Sequence, residues 1–154
     1  MSEKYNILWL GRYEGFLRAL CQGIKDHDLD SCRMAAKFYD EMIPFNSVVV
    51  PMPSHSGKAE QMLSVCVYLQ MRRPDIEVVD MLCCKPHTSS REEKINGFMP
   101  QPITMMMNDK RPKHNVNSHI FIIDNVVASG VTANAALKAM PEATVITLCY
   151  DFHR

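Results

Sequence analysis

The sequence predicts an α/β domain in which a mostly parallel sheet is flanked by helices. Three observations predict it. From residue 47 onward, short apolar runs alternate with stretches of helical spacing, the order that builds parallel strands through right-handed crossovers. Ile120-Phe121-Ile122-Ile123 is apolar at every position, which suits a strand covered on both faces. Pro44, Pro74 and Pro141 each follow a helical stretch and stop it, because proline cannot continue the main-chain ladder. The 154 residues are enough for about one domain with its own core. The expected division of this single domain is a helical part over 1–45, which covers the sheet or forms a small hood, and an α/β core over 46–154.

Taken in order, Tyr5 to Leu10 is a short first strand or an extended arm. Tyr13 to Ile24 carries Phe16, Leu17, Leu20, Cys21 and Ile24 at helical spacing. Asp30 or Ser31 can cap the next helix, Cys32 to Met42. Ser47-Val48-Val49-Val50 is β-branched and reads as the first core strand. The loop 51–58 leads into a helix over Ala59 to Met71. Ile76 to Cys83 is the second core strand, and Lys85 to Asn117 is a long polar connection. Ile120 to Ile123 is the third core strand, Ala135 to Met140 a helix, and Thr144 to Tyr150 the fourth.

Composition narrows the function classes. Lysine plus arginine equals aspartate plus glutamate at 17 each, so the whole chain shows no basic footprint for nucleic acid. The N-terminal apolar run, Ile7 to Leu10, is too short for a signal-peptide core or a membrane span, and no other stretch approaches that length. The expected location is the cytoplasm, without a membrane partner. Six cysteines include no C-x-x-C pair, which favours buried reduced thiols over a zinc ribbon. The six histidines have no helical metal-ligand spacing, so no protein metal ligands are assigned. Met105-Met106-Met107 reads as core filling or as a partner surface.

The chemistry concentrates in residues 119–140. The apolar strand runs into Asp124-Asn125, then into the small-residue turn Ala128-Ser129-Gly130-Val131-Thr132, then into helix. Such a loop presents backbone N–H groups, and the helix N-terminus adds a positive dipole end, so the pair suits a phosphate. Gly130 lets an anion approach the main chain, and Ser129 and Thr132 carry hydroxyl donors. An acid beside a phosphate site repels the anion unless a sugar hydroxyl or a metal ion lies between them. The stretch therefore points to a phosphorylated sugar.

IFIIDNVVASGVT resembles the phosphoribosyl-diphosphate (PRPP) binding motif of type I phosphoribosyltransferases. That motif is four apolar residues, two acids, two apolar residues, a small residue, Thr-Gly, any residue and Thr. Asn125 stands at the second acid, and Ser129 at the usual Thr. Further stretches are similar to ComF-type members of the family: Tyr13 to Arg18 with Ile24-Lys25, Val49 to Pro53, and Glu93 to Phe98. The N-terminal cysteine ribbon of that group is absent.

The resemblance implies a type I phosphoribosyltransferase-like fold and a small phosphorylated ribose as ligand. Asp124 and Asn125 would hold the ribose hydroxyls as the catalytic pair, and Ala128, Ser129, Gly130, Val131 and Thr132 would cradle the 5′-phosphate. Ser54, His55, Ser56, Gly57 and Lys58 lie on the loop that meets the diphosphate half of the donor. Arg91 and Lys94 lie on a segment that closes over it. Mg²⁺ would be held mainly through the ligand's diphosphate, which needs no dedicated protein cage. Two activities follow: transfer of phosphoribosyl to an acceptor, or PRPP binding without transfer because Asn125 carries no charge. A ComF-like adaptor linked to DNA uptake is the third reading, and a homodimer is compatible with each.

Overall fold

Val48-Val49-Val50-Pro51 is buried at every position, as expected for a β-branched run in the middle of a parallel sheet. It is strand β2 in a computed structural model that describes residues 6–86 and 103–151. The elements before it are β1 (Ile7–Arg12), α1 (Gly15–Lys25) and α2 (Leu29–Met42). Those after it are α3 (Glu60–Arg72), β3 (Glu77–Val78), β4 (Leu82–Cys84), β5 (Met105–Met107), β6 (Ile120–Val127), α4 (Val131–Ala139) and β7 (Thr144–Tyr150). The main sheet has five strands in the order β1-β7-β6-β2-β3. Each of its ladders is parallel, as the alternation of apolar runs and helical stretches implies. No helix among the described residues is long and apolar enough to cross a membrane.

The sheet divides two cores. Helices α1, α2 and α3 pack on one face through Leu20, Cys21, Ile24, Ala35, Tyr39, Val65 and Leu69 against Phe121, Ile123, Ile146 and Leu148. Helix α4 covers the other face with Ala133, Ala135, Ala136 and Leu137 against Val48, Val50, Ile122 and Val145. Alanines let this short helix approach the sheet closely. The two N-terminal helices thus share a core with α3.

Local chemistry sets the ends of the elements. The cap of α2 is Asp28, whose Oδ2 accepts from the Ser31 N–H at 3.1 Å and the Ser31 hydroxyl at 2.7 Å. The helix therefore begins at Leu29, ahead of the start expected at Cys32. Arg73, just past α3, pins the α2–β2 turn. Its guanidinium donates to the Asp40, Ile43 and Pro44 carbonyls and forms an ion pair with Asp75.

One strand prediction needs correcting, and one left open is decided. Ile76–Cys83 is not one strand. Only Glu77 and Val78 pair with β2, and after Val79 the chain leaves the main sheet. Leu82–Cys84 then pairs antiparallel with Met105–Met107, a stretch that falls inside the expected long connection. A continuous apolar run hides this break, because periodicity does not report which partner a strand takes. The N-terminal run, open between a strand and an arm, is an edge strand of the main sheet beside β7. Its edge position explains why Leu8, Trp9 and Leu10 are exposed.

Candidate functional site

The strand order changes direction between β2 and β6. From β2 the chain crosses to β3 on one side, and later returns to β6 and β7 on the other. In an open parallel sheet, the crevice outside the carboxyl ends of two such strands is the place where ligands bind. The loops after β2 and β6 flank that crevice. They are Ser54–Lys58 and Ala128–Gly130, so the fold brings both sequence-predicted loops to one sheet edge. Met52 N–H donates to the Ile123 carbonyl at 2.9 Å and ties the start of the first loop to β6.

Strand β6 runs to Val127, so Asp124 and Asn125 lie inside the strand and not at its tip. This corrects the expected strand end. Val126 and Val127 are β-branched and continue the pairing with Cys149 and Tyr150. At ~3.3 Å per residue, Asp124 sits about 10 Å of strand before Val127.

The sheet is interrupted at this level. The β6–β7 register passes from Asp124↔Thr147 to Val126↔Cys149, over Asn125 and Leu148. The β1–β7 register passes over Leu10 at the same row. Side-chain direction shifts by one residue there. Phe121 and Ile123 belong to the helix α1–α3 core, and so does Val126, where strict alternation would send Val127.

Side chains take over the main-chain groups of this row. Asp124 Oδ1 accepts the Asn125 N–H at 2.8 Å, and Asn125 Oδ1 accepts the Val126 N–H at 2.8 Å. The Tyr39 hydroxyl donates to the Asp124 carbonyl. The Cys21 thiol donates to the Asn125 carbonyl at 3.5 Å. Such irregularities recur beside functional sites because they re-aim side chains.

Burial pushes the Asp124 carboxyl up to about 7, and the Asn125 N–H only partly offsets the cost of its charge. Burial likewise pushes the Tyr39 phenol well above its ordinary value, with the nearby Asp124 adding to the rise. Asp124 therefore changes charge near neutral pH, where ligand or cation binding can most readily move it.

The loop after β6 is Ala128–Gly130, and Val131 and Thr132 already lie in the first turn of α4, which starts ahead of the expected Ala135. Gly130 takes a left-handed conformation at φ 85°, which glycine adopts without penalty. The first main-chain helix bond is Asn134 N–H to the Gly130 carbonyl at 2.8 Å, so the amides of residues 131–133 lie ahead of it. The cap residue Gly130 has no side chain to offer, and the first turn of the helix holds no acid. Ser129 is exposed, with its hydroxyl 3.4 Å from the Val131 N–H. Ala128, Gly130, Val131 and Thr132 are half-buried around it.

The Ser54–Lys58 loop is built differently. Ser54 N–H and the Ser54 hydroxyl both donate to the Lys58 carbonyl at 3.0 Å, and Gly57 N–H donates to the Ser54 carbonyl at 2.9 Å. Ser56 shares its hydroxyl with Ser54. The serines thus hold the loop's own shape, while His55 and Lys58 are exposed. A Cβ on Gly57 would meet the Cys84 carbonyl at 2.2 Å, so this glycine is set by the passage of β4. Glu60 in the first turn of α3 disfavours an anion at that helix start. Arg91 and Lys94 lie outside the described residues.

Sequence reasoning missed Tyr39 and Cys21. Both lie within the helices expected from the sequence, and nothing near them in the chain signals a partner on β6. Among the described residues no group of three or more His, Cys, Asp or Glu gathers as a metal centre. No protein-family model matches the chain, and the search of curated proteins finds no match.

Proposed function

We propose that this protein binds a phosphorylated ribose, PRPP or ribose 5-phosphate, at the carboxyl ends of β2 and β6, as a type I phosphoribosyltransferase-like domain acting in the cytoplasm. The carrying observation is the single strand–loop–helix that joins Asp124 to the glycine-capped, acid-free start of α4. The 5′-phosphate takes the amides of the 128–132 turn and the dipole end of α4. The ribose hydroxyls take Asp124 and the Asn125 amide, and Lys58 offers a charge to the diphosphate.

Asp124 is the one acid among these residues, so it fits Mg²⁺ only as an ion that brings its remaining oxygens from ligand and water. When bound, that ion neutralises charge on the diphosphate. A nearby cation also favours the ionised form of Asp124, against the burial that opposes it.

Asn125 favours binding without transfer as the second reading. Its side-chain oxygen is held by the Val126 N–H, and its amide can neither carry charge nor act as a base. Calorimetry with PRPP and with ribose 5-phosphate, each with and without Mg²⁺, tests the proposal. Binding that weakens in Asp124→Ala is the expected result, and no heat from any combination would sink it. Pyrophosphate release by the native protein against a panel of bases and amines would exclude the second reading.

A further inference from the structure

We propose that Cys21 and Cys149 are an oxidative modification site, at which a hydroperoxide converts the pair into a disulfide that ties α1 to β7 and acts on the Asn125 end of the site. The effect on ligand rests on the proposed function; the bond itself does not.

The two sulfurs are 3.4 Å apart, although the residues are separated by 128 positions in the chain. A disulfide brings sulfurs to roughly 2.05 Å, so the elements need approach by only about 1.4 Å. The interrupted row of the sheet creates this meeting. In β7, Ile146 and Leu148 face the α1–α3 core, and the shift of phase adds Cys149 to the same side. In a regular strand Cys149 would follow Val145 to the opposite face.

The pair is also chemically polarised. Either thiol can donate in the contact between them, and the contact with Cys21 holds the Cys149 thiol below its ordinary value. Cys149 is therefore the attacking thiolate. Its sulfur attacks one oxygen of the hydroperoxide, the O–O bond breaks, and a sulfenic acid forms as water or an alcohol leaves. The Cys21 sulfur then attacks Cys149 Sγ, the S–O bond breaks and water leaves; the Cys149 proton ends on the first leaving oxygen and the Cys21 proton on the departing hydroxide. The peroxide is reduced by two electrons and the dithiol is oxidised by two.

Both thiols are buried, so the reagent enters when α1 lifts from the sheet. The consequence reaches the site because the Cys21 thiol donates to the Asn125 carbonyl. A disulfide sulfur has no hydrogen to donate, so the interrupted row loses a main-chain partner beside Asp124.

The test uses the full chain, reduced with a phosphine, freed of reductant and treated with hydrogen peroxide under native conditions. Remaining thiols are alkylated, and the protein is digested for peptide mass mapping. The expected result is a peptide pair linking Cys21 to Cys149, an intact mass lower by two hydrogens, and reversal by dithiothreitol. Cys21→Ser should abolish the link and leave a sulfenic acid on Cys149 that a dione reagent traps. Absence of the linked pair from the wild-type protein, or a link among other cysteines only, overturns the proposal.

Calorimetry with ribose 5-phosphate on the two forms reads the coupling. A roughly fivefold or larger loss of affinity in the disulfide form is expected, the low end of ordinary coupling between sites. Equal affinities overturn the regulatory half. Binding to neither form overturns the proposed function instead, while the mapped link still decides the bond.

Discussion

Replacing Asp124 by Asn should stabilise the ligand-free protein at pH 8 and do little at pH 4. The carboxyl is held up to about 7 from an ordinary 3.8, chiefly by burial. A carboxyl raised in the folded state contributes stability that is complete below its unfolded value and is lost as pH rises through its folded value. The wild-type protein therefore loses stability between about pH 4 and pH 7. At about 1.4 kcal/mol per unit, a rise of about three units corresponds to a loss of ~4 kcal/mol above pH 8. The amide of the variant stays neutral throughout, and its oxygen can still accept the Asn125 N–H. Asp124→Asn should therefore gain ~4 kcal/mol over wild type between these pH values, on the order of 10 °C in Tm for a chain of this size. Contributions from the rest of the chain are common to both proteins and cancel in the difference. Urea denaturation of the two proteins at pH 4.5 and pH 8 measures it. A stability difference that is the same at both pH values would refute the burial argument. Under the proposed function, adding PRPP with Mg²⁺ at pH 8 should narrow the difference, since ligand stabilises more the protein that binds it more tightly.

Other predictions follow from single contacts. Tyr39→Phe removes the hydroxyl that serves the Asp124 carbonyl and should cost about 1–3 kcal/mol in urea denaturation. Gly57→Ala combines φ 91° with a 2.2 Å approach to the Cys84 carbonyl, and should cost more than the ~1–2 kcal/mol of the left-handed conformation alone. A Cβ on Gly130 would meet only the Asn134 side-chain nitrogen at an ordinary 3.6 Å, so Gly130→Ala should show only the conformational part, and equal losses in the two variants would contradict the steric account. Asp75 is held down to about 2 chiefly by its hydrogen bond from Arg73. Its contribution is present above about pH 4 and is lost as pH falls toward 2, so Asp75→Asn should flatten the acid limb of a urea-midpoint profile.

Much of the fold was legible because its signals are local. The β-branched run at 48–50 and the apolar run at 120–123 name buried strands, and prolines 44, 74 and 141 stop the helices before them. The small-residue turn at 128–132 similarly announces an open helix start. Less legible was the extent of β6. Asp124 and Asn125 look like a strand end by composition, yet pairing with β7 carries the strand past them. Cross-strand pairing outweighs the weak strand preference of two polar residues. The Ser54–Lys58 loop shows the opposite case: its residue types suit an anion, but its serine hydroxyls are engaged within the loop.

The sequence by itself determined the alternation of strands and helices, the acid-then-small-loop order, and hence the class of ligand worth testing. Only the tertiary structure decided that β1 closes the edge of the sheet, and that the β6–β7 ladder breaks at Asn125. It alone set Tyr39 and Cys21 on the carbonyls of that break, with Cys149 turned toward α1. The reason is physical. Helical and strand periods are written in neighbouring residues, whereas register, partner choice and side-chain phase arise from contacts between segments far apart in the chain, and no local pattern records them.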